Sequence, residues 1–245
     1  MTELSTLDHA GRSLAVRSRP GRGPAIVFLP GYMSDMAGGK ATALDAWAER
    51  EGRAMVRFDY GGCGASSGAF EEQGLDDWLG DVLAVLDEAV EGAAVLAGSS
   101  MGGWLMLLAA LERSERVAGL IGIAAAPDFT RWGFSDDEKR TIRERGRLEQ
   151  PSPYGDSPTV TTRRFWESGE RRLLLGGEIG VDCPVRLLHG QRDSDVPWRN
   201  SLLLMDRLRS SDVQATLIKN GDHRLSRDED IALLTGTAAS LLEIL

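Results

Sequence analysis

Six short, almost continuous apolar runs, most of them separated by stretches of helical periodicity, constrain this chain more than any other feature. They are "PAIVFLPG" (24–31), "AMVRFDYG" (54–61), "AAVLAGS" (93–99), "VAGLIGIAAAP" (117–127), "PVRLLHG" (184–190) and "VQATLIKNG" (213–221). A strand that is apolar at nearly every position, and not at alternate ones, is covered on both faces, and such strands pair in parallel because crossover helices provide the cover. Between the runs, Leu75, Trp78, Leu79, Val82, Val85, Leu86 and Ala89 recur at helical spacing behind an acidic opening suited to a helix N-terminus. Trp104, Leu107, Leu108 and Leu111 form a second stripe, and 41–51, 201–208 and 231–245 supply further helices. The alternation predicts an α/β fold, a doubly wound and mostly parallel sheet with right-handed crossovers. The leading "LSTLDHAGRSLAVRSRPG" reads as an antiparallel hairpin turning near His9 to Gly11.

The rhythm fails over residues 128–182, which hold no apolar strand run, gather Pro151, Pro153 and Pro158, and include "SDDEKRTIRERGRLEQ" and "TTRRFWESGERRLLL". A structureless loop of that length is improbable in a compact domain. The expectation is a small helical cap inserted into a single domain spanning 1–245. Arg131, Arg163, Arg164, Arg171 and Arg172 accumulate in this stretch. They predict either a solvated face or one or two pocket arginines that hold a substrate carboxylate by bidentate hydrogen bonds, with Phe165, Trp166 and Leu173–Leu175 covering an acyl chain.

Charge narrows the functional classes. A net charge of −9 opposes a nucleic-acid surface, which needs clustered Lys and Arg to displace counterions. No apolar run approaches the roughly 18 residues of a membrane span, so no membrane insertion is expected. The opening residues lack the basic and apolar regions of a secretory signal, so a cytoplasmic protein is expected. Cys63 and Cys183 lack CxxC spacing, which predicts free thiols and no zinc site.

The spacing GxSxG occurs twice, around Ser100 in "AGSSMGGW" (97–104) and around Ser66 in "GASSG" (64–68). A nucleophilic serine of this type needs a sharp strand-to-helix turn that exposes its oxygen. Ser100 follows the run 93–99 directly and precedes a helix; Ser66 sits in a long loop, so Ser100 is the predicted nucleophile. A serine hydroxyl needs a base. In the chain order serine, acid, histidine, the base is His223 of "KNGDHRLS", which leaves His9 as a turn residue and His189 as a packed strand-end residue. The acid comes from "LLHGQRDSDVPW", as Asp193 or Asp195, at the C-terminal end of a strand where sheet enzymes place their sites. Asp128 is a third candidate, Asp222 reads as a turn residue, and spacing favours Asp193. The oxyanion donors are predicted to be the N–H of Met101 and that of Tyr32 in "LPGYMSD", with Met33 in reserve.

"FLPGYMSDMAGGKA", "RFDYGGCGASSG", "GSSMGGWLML", "LIGIAAAPD", "CPVRLLHGQRDSDVPW" and "DHR" together resemble the α/β-hydrolase superfamily. Within it they are most similar to the branch of mitochondrial abhydrolase-domain acyl-protein thioesterases that also cleave acyl glucuronides. The resemblance runs from about residue 26 to 235. It implies a Ser100, Asp193, His223 triad and hydrolysis of carboxylic esters or thioesters without metal or organic cofactor, on small-molecule or acyl-protein substrates. Where the branch has an acidic residue directly after the catalytic one, this chain has Ser194 and then Asp195. The cap is the least similar region. Same-triad perhydrolases and carbon-carbon bond hydrolases are the alternative chemistry, and a non-catalytic binding module is the alternative class.

Overall fold

In the computed structural model, residues 3–152 and 157–245 are described; Pro153 of the cap lies outside them. The chain opens with the antiparallel pair β1 (Glu3–His9) and β2 (Arg12–Arg19). Their two-residue turn, Ala10-Gly11, takes positive φ at both positions, the handedness that matches the twist of a hairpin. The parallel rhythm follows: β3 (Arg22–Leu29), α1 (Gly39–Glu51), β4 (Arg53–Phe58), α2 (Leu75–Glu88), β5 (Ala94–Ser99), α3 (Met101–Glu112) and β6 (Val117–Ile123). An inserted stretch carries α4 (Phe129–Trp132), α5 (Asp136–Arg145), β7 (Arg147–Gln150), β8 (Thr159–Thr162) and α6 (Arg163–Glu170). The chain ends with β9 (Val185–Gly190), α7 (Arg199–Arg207), β10 (Val213–Ile218) and α8 (Asp228–Glu243).

The main sheet has the order β1-β2-β4-β3-β5-β6-β9-β10, and every pair beyond β2/β4 is parallel. Side chains on one face pack with α2 and α3 around Trp78 and Trp104. Those on the other pack with α1 and α8 around Trp47 and Leu234. β5, at the centre, is buried along its whole length, so its residues are apolar or small without alternation. Both cysteines are free.

Where the sequence predicts helices alone over residues 128–182, the structure also contains the antiparallel pair β7/β8. Each strand is four residues long, and Arg147, Glu149, Gln150, Thr159, Thr161 and Thr162 leave no apolar run to read. The insertion docks on α2. Leu75 N donates to Ser168 Oγ at 2.7 Å, and Trp104 Nε1 donates to the Arg172 carbonyl at 3.1 Å. Around these hydrogen bonds, Arg164 pairs with Asp77 at 2.9 Å, and Arg171 and Arg172 pair with Asp76 at 2.9 and 2.7 Å. Burial alone would raise the Asp76 carboxyl; Arg172 and Arg171 outweigh it and hold it below the usual range. Asp76 and Asp77 stand in the first turn of α2, where negative charge is already favoured by the helix dipole.

The turn from β5 into α3 depends on an extreme backbone approach. A methyl group on residue 102 would lie 2.1 Å from the Leu29 carbonyl oxygen, and one on residue 98 would lie 2.3 Å from the Gly102 carbonyl oxygen. Gly236, in the interior of α8, has nothing within 4 Å of the same position. Two opposite outcomes follow for one substitution. Gly102→Ala should cost on the order of 3 kcal/mol through overpacking against backbone. Gly236→Ala should stabilise by about 0.5–1 kcal/mol by removing backbone entropy from the unfolded chain. Urea unfolding of both variants measures the contrast, and equal shifts would contradict the packing described here.

Candidate active site

Ser100 sits directly between β5 and α3 with φ 53° and ψ −116°, a strained conformation for a residue with a side chain. The strain is held from three sides: Ser100 N donates to the Ile123 carbonyl at 2.9 Å, and the Ser100 carbonyl accepts from Gly103 N at 2.9 Å and Ala126 N at 3.0 Å. α3 begins at Met101, so its N–H is among the first four of the helix, which have no carbonyl partner within it. Ser66, the rival, is tied into its loop: its hydroxyl donates to the Asp59 carbonyl at 2.6 Å and accepts from Ala15 N at 2.9 Å.

The turn after β3 lies against this serine. A methyl on Gly31 would come within 3.4 Å of Ser100 Cβ, and Met33 takes φ 54°. Tyr32 anchors the turn against β8 and a cluster of aromatic rings. Its ring packs against Phe70, Trp78, Phe129 and Phe165, and its hydroxyl donates to the Val160 carbonyl of β8 at 2.6 Å. Burial keeps that hydroxyl protonated, far above the ordinary phenol range.

A second close approach assembles the other side. Where β9 ends, a methyl on Gly190 would overlap the Gly221 carbonyl oxygen at 2.2 Å. Gln191 N donates to the Ile218 carbonyl at 2.8 Å, and Arg192 N to the Gly221 carbonyl at 2.9 Å. The loops after β9 and β10 are thereby stitched together, and His223 Nδ1 comes 2.8 Å from Asp193 Oδ2. Burial alone would raise the Asp193 carboxyl, but hydrogen bonds from His189, His223 and Val196 N, with the His223 charge, hold it well below the usual carboxylate range. An ionised carboxylate only accepts, so His223 Nδ1 carries a proton, and whenever the ring is neutral its lone pair is on Nε2. Ser100 and His223 both line one cavity of about 720 Å³.

The remaining candidates fall elsewhere. Asp195 lies on the cavity wall and gives its backbone N–H to Asp193 Oδ1 at 2.8 Å. Asp128 binds Leu174 N and Leu175 N, both at 2.8 Å, at the far end of the cap. Asp222 accepts from Leu225 N at 3.0 Å as a turn residue, and His9 lies against Gly80 of α2. The pocket-arginine expectation is corrected. None of Arg131, Arg163, Arg164, Arg171 and Arg172 lines the cavity; acidic partners on α2 hold Arg164, Arg171 and Arg172 outside, and Glu170 holds Arg131. Phe165, Trp166 and Leu173–Leu175 pack into the structure, and Phe129, Trp132 and Phe134 line the cavity in their place. Sequence reading passed over Lys40, on the first turn of α1. It lines the cavity, donates from Nζ to the Arg224 carbonyl at 2.5 Å, and is lowered to about 8 by burial and by the Arg224 charge. His189 was read as packing alone, yet both of its ring nitrogens have polar partners.

The model of the alpha/beta hydrolase family matches residues 26–237. The chain belongs to that family. It is 40% identical over 247 residues to the palmitoyl-protein thioesterase ABHD10, mitochondrial, of Homo sapiens, covering 99% of this chain and 81% of that protein. The structure of alpha/beta hydrolase domain-containing protein 10 from mouse superposes with a TM-score of 0.92 at 41% identity, covering 98% of each chain. Est1E from Butyrivibrio proteoclasticus, at 22% identity and a TM-score of 0.80 over 98% of this chain and 97% of its own, shares the fold. The protein is a hydrolase of esters or thioesters. The expectation of a cytoplasmic protein is overturned, since the five curated relatives are all named mitochondrial. No helix among the described residues is long and apolar enough to cross a membrane.

The different contacts of the two neighbouring carboxylates predict different losses. Asp193→Asn should lower kcat for ester hydrolysis by on the order of 10³- to 10⁴-fold, through loss of the carboxylate that fixes the His223 tautomer. Asp195→Asn, which leaves the backbone N–H bond to Asp193 in place, should cost far less. A larger loss in the Asp195 variant would reassign the acid.

Proposed function

We propose that Ser100, His223 and Asp193 form the catalytic triad of this hydrolase, with the N–H groups of Met101 and Tyr32 as oxyanion donors. The carrying observation is Ser100, strained at the head of α3, facing the same cavity as a histidine whose Nδ1 is held by a buried, ionised carboxylate. Neutral His223 Nε2 takes the Ser100 proton as Oγ bonds to the acyl carbon, and the carbonyl oxygen becomes an oxyanion facing the two amides. His223 then returns the proton to the departing alcohol or thiol, which leaves the acyl group on Ser100. A water deprotonated by His223 attacks this ester, and the acid leaves as Oγ regains its proton.

The chain is one domain, with the stretch 128–182 as a cap that roofs the site. The substrate is a long-chain acyl thioester or ester, free or on a protein. The aromatic wall of Phe129, Trp132 and Phe134 offers an apolar seat for the chain, and the human relative's activity, palmitoyl-protein thioesterase by name, supports an S-acyl substrate.

Ser100→Ala should lower hydrolysis by at least ~10³-fold and abolish labelling by a fluorophosphonate, while Ser66→Ala should retain most activity. The kcat/KM for p-nitrophenyl esters and acyl thioesters should rise with acyl length. Equal loss in the two serine variants, both folded, would overturn the nucleophile; a maximum at acetyl would overturn the substrate class.

A further inference from the structure

Behind the proposed acid lies a second histidine that the hydrolytic scheme does not use. His189, the penultimate residue of β9, is fully buried, as is the Asp193 side chain. Its Nε2 faces two acceptors at 3.1 Å each, Asp193 Oδ2 and the Val196 carbonyl. A nitrogen that meets two acceptors must carry the proton. Its Nδ1 lies 2.6 Å from Ser201 Oγ, in the first turn of α7. With Nε2 protonated the neutral ring accepts at Nδ1, so the Ser201 hydroxyl donates there, and every polar atom of the group is satisfied. Asp193 Oδ2 therefore takes one N–H from each histidine, while Oδ1 takes those of Asp195 and Val196 at 2.8 Å each.

We propose that His189, held at its Nδ1 by Ser201, is a positioning residue that clamps the Asp193 carboxylate and limits how strongly that carboxylate stabilises a proton on His223. The inference rests on the triad reading of the preceding subsection. A carboxylate oxygen shared between two N–H donors is turned to a fixed angle, and its charge is spread over both. Without the second donor Oδ2 is held by His223 alone, so the carboxylate is freer to turn about its Oδ1 bonds to Asp195 N and Val196 N, and more of its charge falls on His223. Rotation lowers the rate; undivided charge raises the affinity of His223 for a proton. His189 does not line the cavity, so substrate binding should not change.

The test is the pH dependence of kcat and kcat/KM on a p-nitrophenyl ester. In His189→Phe, kcat should fall about tenfold or more, as when the orienting partner of a functional ligand is lost. KM should stay near wild type, and the acid limb of kcat/KM should move up by about half a pH unit or more. In His189→Gln, whose amide can donate to Asp193 and accept from Ser201, most of both effects should be reversed. Ser201→Ala removes only the hydroxyl and should move rate and limb in the same direction by less, which keeps the proposal testable should the Phe variant not fold. The charged groups around His223, namely Asp193, Asp222, Arg224, Asp195 and Lys40, are unaltered in all three variants. A folded His189→Phe or Ser201→Ala variant with wild-type kcat and an unmoved acid limb overturns the proposal. Retained activity in Ser100→Ala and Asp193→Asn would instead overturn the triad, so the two failures are distinguishable.

Discussion

The site rests on backbones that come closer than any side chain permits. At the end of β3 the Leu29 carbonyl occupies the space a side chain at residue 102 would need, and the Gly102 carbonyl occupies that of residue 98. Only with both positions bare can β5 run into α3 without a spacer. That abrupt junction puts Ser100 at positive φ and sets the start of α3 against the turn after β3. The crossing of Gly190 with Gly221 repeats the device on the opposite side. The cavity between them exists because two steric exclusions fix where four loops meet.

Buried carboxylates hold those loops once the backbones have met. Asp59 accepts from Met36 N at 2.7 Å and Ala65 N at 2.8 Å, fastening the turn after β3 to the loop after β4. Asp128 closes the far end of the cap through two amides. Asp193 also collects two amides, but adds two imidazoles. Their protonation differs accordingly: burial raises Asp59 and Asp128 despite their amide bonds, whereas the histidines pull Asp193 the other way. A carboxylate that only pins a loop tolerates a higher affinity for protons. One that must fix a histidine tautomer stays ionised.

How much of this was legible follows from what the residues touch. The parallel strands could be read because both faces are covered, so β5 and β6 are apolar without alternation. The hairpin could be read from its two-residue turn, and Ser100 could be separated from Ser66 because only one lies between a strand and a helix. The pair β7/β8 could not be read, since polar four-residue strands leave no periodic signal. The cap arginines were ambiguous because their acidic partners lie far away in sequence, on α2. His189 carried a misleading signal: a histidine at the end of an apolar run does pack there, and its packed position is what brings Nε2 to Asp193. A histidine four residues before Asp193 was the available clue.

The cap separates two tasks in space. Its cations face Asp76 and Asp77 on the outside, whereas the aromatic side chains of α4 and its flank face the cavity. The outer ion pairs and the cavity lining therefore draw on different residues. Such a roof is open to drift on its inner surface: mutations at Trp132 and Phe134 alter what fits while the ion pairs outside stay in place, whereas Phe129 also packs against Tyr32 and Trp104. A lineage built on this scaffold can exchange one acyl donor for another while inheriting the same closure.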